Sequence, residues 1–115
     1  MKKIFLFTGL ATIIFLTSCS PKILYSWDNY DAASVKYLKD GDEKSIEQMI
    51  KTYQQLIDKQ KGTRKTVPPG IYADYGFILM QIGKTEEGKA MLEKEIVLYP
   101  ESKIFIDRIL KMLES

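Results

Sequence analysis

The sequence predicts an all-α fold of about five short helices, and three observations carry that prediction. Apolar residues recur at i, i+3, i+4 and i+7 in successive segments of helical length, which marks one buried face per helix. Turn signals at Gly41, Pro68-Pro69-Gly70, Gly83 and Pro100 fall between those segments. Strand signals are lacking, because no segment alternates apolar and polar residues over a useful length and β-branched residues do not cluster between turns. With 115 residues, 45% of them apolar, the chain supports one domain with one modest core.

The first element is an address. Lys2 and Lys3 form a positive n-region before an apolar run from Ile4 to Leu16, which is too short to span about 30 Å of hydrocarbon as a permanent helix. Leu16-Thr17-Ser18-Cys19 resembles the bacterial lipobox, so residues 1–18 are expected to be a cleaved lipoprotein signal peptide and Cys19 the lipidated residue, bearing palmitate-type acyl chains. Acyl chains contribute about 0.8 kcal/mol per buried CH₂, and two or more hold a protein on a bilayer almost permanently. Ser20 differs from the aspartate of the inner-membrane retention signal, which favours an outer-membrane anchor facing the periplasm. Residues 19–26, with Pro21, are expected to be a lipidated tether, and residues 27–115 a single helical repeat-like domain.

The domain's helices follow in order. The first is predicted from Trp27 to Lys39, with Trp27, Tyr30, Ser34, Tyr37 and Leu38 on one side, Ser26 as cap and Asp28 in the first turn; Gly41 stops it. The second begins near Asp42 and carries the clearest stripe, Ile46, Met49, Ile50, Tyr53, Leu56 and Ile57. Lys59 to Thr66 has no periodicity and reads as a basic loop. The third helix is expected to start at Pro69 or Gly70, where proline suits a first turn, and to run to Gly83. Thr85 is the expected N-cap of the fourth, whose Glu86 and Glu87 favour the helix dipole and whose end is Pro100. The fifth runs from near Glu101 to Leu113 with Phe105, Ile106, Ile109, Leu110 and Leu113 on one face.

Composition excludes several chemistries. Without histidine there is no Ser-His-Asp or Cys-His pair, no imidazole base and no imidazole metal ligand. A single cysteine makes neither an internal disulfide nor a thiolate zinc site, so no metal and no cofactor is expected. The net charge of +2 comes from 17 basic and 15 acidic side chains, and loss of Lys2 and Lys3 with the signal leaves the two balanced. A balanced surface gives no field for steering toward nucleic acid. Asp40, Asp42 and Glu43 lack the twelve-residue calcium pattern, and turn and capping roles account for them.

Two resemblances narrow the picture. The third and fourth helices resemble a tetratricopeptide repeat, with Tyr72 at its aromatic position, Gly76 and Gly88 at its small positions, Leu79 and Leu92 at its large apolar ones, and Pro100 at the separating proline. Glu95 departs from that pattern, standing where a small apolar residue is normal, so its carboxylate is expected to point out of a skewed pair or the next helix to pack differently. Trp27, Tyr30, Leu38 and Gly41 look like a degenerate earlier copy. The stretches Trp27 to Tyr30, Val67 to Gly76 through Pro69 and Gly70, and Tyr99 to Ser102, following a lipobox, resemble the small bacterial lipoproteins of the domain-of-unknown-function 4810 family. The resemblance implies an envelope lipoprotein without an assigned reaction, often encoded beside a lipoprotein similar to the curli secretion channel and beside another small lipoprotein.

The residues left for chemistry are carboxylates. Asp74, Glu86, Glu87 and Glu95 could serve a wall hydrolase acting through paired acids, but helix starts and solvated faces account for them better, and no catalytic residue is assigned. A binding role uses the helix pair directly. In the repeat family the first helix of each pair lines a groove, and its positions correspond here to Ala73, Phe77, Met80 and Gln81, with Tyr72 beside them. The sequence thus predicts an adaptor that binds an envelope protein, such as another lipoprotein of the same operon, or else an accessory subunit of a curli-channel-like complex.

Overall fold

A computed structural model describes residues 22–115. The signal peptide expected over residues 1–18 and the expected lipidation at Cys19 lie outside the described residues. Among the described residues the chain is all-helical: α1 (Tyr30–Asp40), α2 (Glu43–Asp58), α3 (Ile71–Gln81), α4 (Thr85–Leu98), a 3-10 turn (Pro100–Ser102) and α5 (Lys103–Glu114). None of these helices is long and apolar enough to cross a membrane.

Helix α1 starts three residues later than the sequence predicts. Asp28 takes a positive φ of 41°, and the Ser26 hydroxyl bonds the Asp28 carboxylate instead of capping a helix. Trp27 is thereby left outside α1 and 42% exposed, although its ring still meets Tyr30 at 5.4 Å between centroids. Leu38, expected on the buried side, points to solvent, and Ala33 supplies the buried contact. Gly41 ends α1 in the left-handed region, its N–H donating to Tyr37 O. Asp42 then caps α2, accepting from Ser45 N–H at 2.9 Å, and hydrogen bonding from Ser45 holds its carboxyl below the usual carboxylate range. The predicted α2 stripe is the core stripe: Met49, Tyr53 and Leu56 are buried and Ile46, Ile50 and Ile57 half-buried.

Residues 59–66 form the expected loop, but it is not free of the segment before α1. Thr63 and Arg64 N–H donate to the carbonyls of Ile23 and Leu24, and Gln60 bonds both backbone groups of Ser26. Gly62 permits this approach, since a Cβ there would collide with the backbone of Leu24 and Tyr25. The last residues of the expected tether are therefore fastened to the domain.

Helices α3 and α4 form the tightest pair. Their junction closes with Lys84 N–H on Leu79 O and Gly83 N–H on Met80 O, Gly83 taking φ 88°. Thr85, expected as the N-cap, is already the first residue of α4, and Lys84 precedes it with no side-chain cap bond. Gly76 and Gly88 face each other across the pair, and a Cβ on Gly76 would lie 2.7 Å from Gly88 O. Around this pair the core divides in two. Ala33, Met49, Tyr53, Leu56, Val67, Ile71, Tyr75, Ile78 and Leu79 form the larger cluster. Ala73, Leu92 and Ile106 form a smaller one, flanked by Phe77, Met80, Ile96 and Leu110, through which α5 is held. Of the predicted α5 stripe only Ile106 is fully buried, while Phe105 and Leu113 are more than half exposed because no element among the described residues packs beyond them.

Candidate functional site

Two side-chain hydrogen bonds define how α1 meets α3. Tyr30 OH donates to Asp74 Oδ2 at 3.1 Å, and Tyr37 OH donates to Gln81 Oε1 at 3.1 Å. Both pairs are separated by 44 residues, and they lie seven residues apart on each helix. A constant offset over two turns requires the helices to run parallel in register, whereas antiparallel neighbours would shorten the separation. The first helices of the two pairs are thus side by side, and a cleft of about 250 Å³ opens between them, with α2 as its floor.

The cleft wall is aromatic and its polarity is concentrated in one acid. Tyr30, Tyr37, Tyr53 and Phe77 line it together with Asp74 and Gln81. Tyr30 and Tyr53 rings lie 6.1 Å apart, and Tyr53 stacks on Tyr75 at 5.6 Å, so the column reaches from α1 through α2 into α3. Burial pushes the Asp74 carboxyl above its ordinary pKa, opposed by the hydrogen bond from Tyr30. The Tyr30 and Tyr53 hydroxyls are likewise raised, first by burial and then by the Asp74 charge. Among the described residues no lysine or arginine lines the cleft to offset that charge.

The five residues singled out from the repeat pattern have three surroundings. Phe77 and Gln81 line the cleft. Ala73 is buried with Leu92 and Ile106, and Met80 packs against the same cluster with its side chain at Gly88, so α5 and α4 cover the part of α3 that a longer array would leave open. Tyr72 lies on the α4 flank, where Lys94 Nζ stands 5.8 Å from its ring centre. The structural positions behave as turn and packing residues: Gly70 takes φ 96° before α3, Pro69 is exposed beside it, and Pro100 opens the 3-10 turn.

The carboxylates are dispersed. Glu86 and Glu87 are exposed in the first turn of α4, whereas Glu95 is buried, its Oε1 accepting from Gly70 N–H at 2.8 Å and its Oε2 having no partner. That placement corrects the expectation of an outward-pointing side chain: the carboxylate turns inward because the start of α3 presents an unpaired N–H there. Asp74, read from sequence only as a possible acid catalyst, is the acid of the cleft, and its link to Tyr30 could be sought only in the near-constant spacing between the aromatic segments. Among the described residues no three metal-type ligands gather. A wider groove of about 730 Å³ between α2 and the α3–α4 turn, lined by Ile46, Ile50, Ile82 and charges of both signs, contains none of the predicted partner-binding residues.

A family model described as a domain of unknown function (DUF4810) matches residues 24–109. No curated protein and no solved structure matches the chain.

Proposed function

The chain belongs to the DUF4810 family, and from that premise we propose that it is a non-enzymatic, lipid-anchored adaptor that binds an envelope protein at the periplasmic face of the outer membrane. The observation that carries this reading is the open aromatic cleft where the two helix pairs meet, containing Phe77 and Gln81. Tyrosine and phenylalanine offer large contact area at little conformational cost, which is why aromatics concentrate at protein interfaces. A hydrolase of the paired-carboxylate kind needs two acids flanking one bond, and the cleft lining contains one. The anchor rests on the lipobox-like Leu16 to Cys19, and the partner proposed is another lipoprotein of the same envelope. The alternative reading is an accessory subunit of a curli-channel-like secretion or envelope lipoprotein complex.

The test is affinity purification of the full chain from detergent-solubilised envelopes. A stoichiometric membrane-anchored partner that is lost with Phe77→Asp, while the helical content of the variant is unchanged, supports the adaptor. Recovery of the chain alone, or cleavage of wall polymer that disappears with Asp74→Asn, overturns it.

A further inference from the structure

We infer that the α1–α3 cleft receives the ammonium or guanidinium group of a lysine or arginine side chain presented by the partner. This rests on the adaptor reading and names the chemistry that the same site would recognise. Three properties of the cleft converge on a cation. Asp74 is its one charged lining residue, and the hydroxyl of Tyr30 is a neutral donor that satisfies one carboxylate oxygen without neutralising the charge. Tyr30, Tyr37, Tyr53 and Phe77 also line the cleft, and aromatic side chains attract cations through the negative potential over their rings. Gln81 already accepts from Tyr37 at the mouth, so the rim offers an entrant no strong competing acceptor.

Other occupants fit less well. An apolar plug would strip the remaining water from Asp74 without compensating its charge, and an anion would meet the carboxylate directly. A volume of about 250 Å³ lies below the roughly 300 Å³ at which small-molecule sites begin, and suits one long side chain. The raised Asp74 pKa agrees with this assignment. A carboxyl whose pKa is higher folded than unfolded binds protons more tightly in the native state, so stability falls as pH rises from the ordinary carboxylate range through the raised value. The Asp74 charge is therefore destabilising in the empty cleft wherever the carboxyl is ionised, and a bound cation removes that cost.

The probes are blocked pentapeptides with central lysine, arginine or norleucine, titrated into the full chain in detergent micelles with its tyrosine and phenylalanine rings observed by NMR. Lysine and arginine peptides should shift Tyr30, Tyr37 and Phe77 saturably, and norleucine, of similar shape without the charge, should bind at least tenfold more weakly. Asp74→Asn should weaken the lysine peptide at least tenfold and raise the unfolding temperature at neutral pH. Glu86→Gln, exposed on the first turn of α4 and outside the cleft, should leave binding within a few-fold. Equal affinity for norleucine, unchanged affinity in Asp74→Asn, or no saturable shift overturns the cation assignment. A partner recovered from envelopes through Phe77 but indifferent to Asp74→Asn would leave the adaptor standing without the cation, whereas lysine-peptide binding with no recoverable envelope partner would do the reverse.

Discussion

Glu95 occupies a position that the repeat pattern gives to a small apolar residue, and its carboxylate serves the backbone of another helix. Because Oε1 satisfies Gly70 N–H inside the fold, Glu95→Ala should leave a buried donor without a partner and a void beside it, costing about 2–4 kcal/mol in urea unfolding. Glu95→Gln keeps an acceptor for Gly70 N–H and fills the same space, so it should cost clearly less than Glu95→Ala. Equal losses in the two variants would sink the capping role. Residues of this kind are only half legible in a sequence. The resemblance to the repeat family flags Glu95 as a departure, and i, i+4 spacing puts Phe77 and Gln81 on one face. Nothing local reveals that Glu95 reaches Gly70, or that Tyr30 reaches Asp74, because those partners meet only after the helix pairs stack.

At the scale of elements, α3 and α4 approach through two glycines, Gly88 in the first turn of α4 and Gly76 in the middle of α3, where glycine costs up to about 1 kcal/mol relative to alanine. Gly76→Ala would recover that propensity and yet place a Cβ 2.7 Å from Gly88 O and 3.0 Å from Leu92 Cγ. A backbone oxygen cannot swing aside, so overpacking should prevail and the variant should lose about 1–3 kcal/mol by thermal unfolding. A higher unfolding temperature for Gly76→Ala would mean that the helices separate freely and that the glycines only fill space. The helices themselves were readable to within a few residues, α2 best because its stripe is continuous. Errors arose where tertiary context decides: the positive φ of Asp28 delays α1, and Phe105 and Leu113 remain outward because periodicity marks a face without saying what covers it.

For the whole molecule, the division of the core predicts unequal stability. Helix α5 buries one side chain fully, Ile106, in the smaller cluster. Ile106→Ala should cost about 2–4 kcal/mol, and native-state hydrogen exchange should accelerate first across Lys103–Glu114 while α2 and α3 retain protection. Uniform loss of protection along the chain would show instead that the two clusters unfold as one. The all-helical class and the paired arrangement were legible at this scale, whereas the parallel contact of α1 with α3 depends on an offset of 44 residues that only folding makes visible. The junction at Gly62 has a mechanical meaning for a tethered molecule. With Ile23 and Leu24 fastened to the loop, only four residue steps separate Cys19 from the first fixed point, and even fully extended they reach about 14 Å. Under the proposed acylation the leash is too short for the domain to roam across the periplasm. So anchored, it would stay in a thin layer against the bilayer, and its search for the proposed partner would become nearly two-dimensional. A protein anchored in the same leaflet gains a high effective concentration from that confinement, and a freely diffusing one does not.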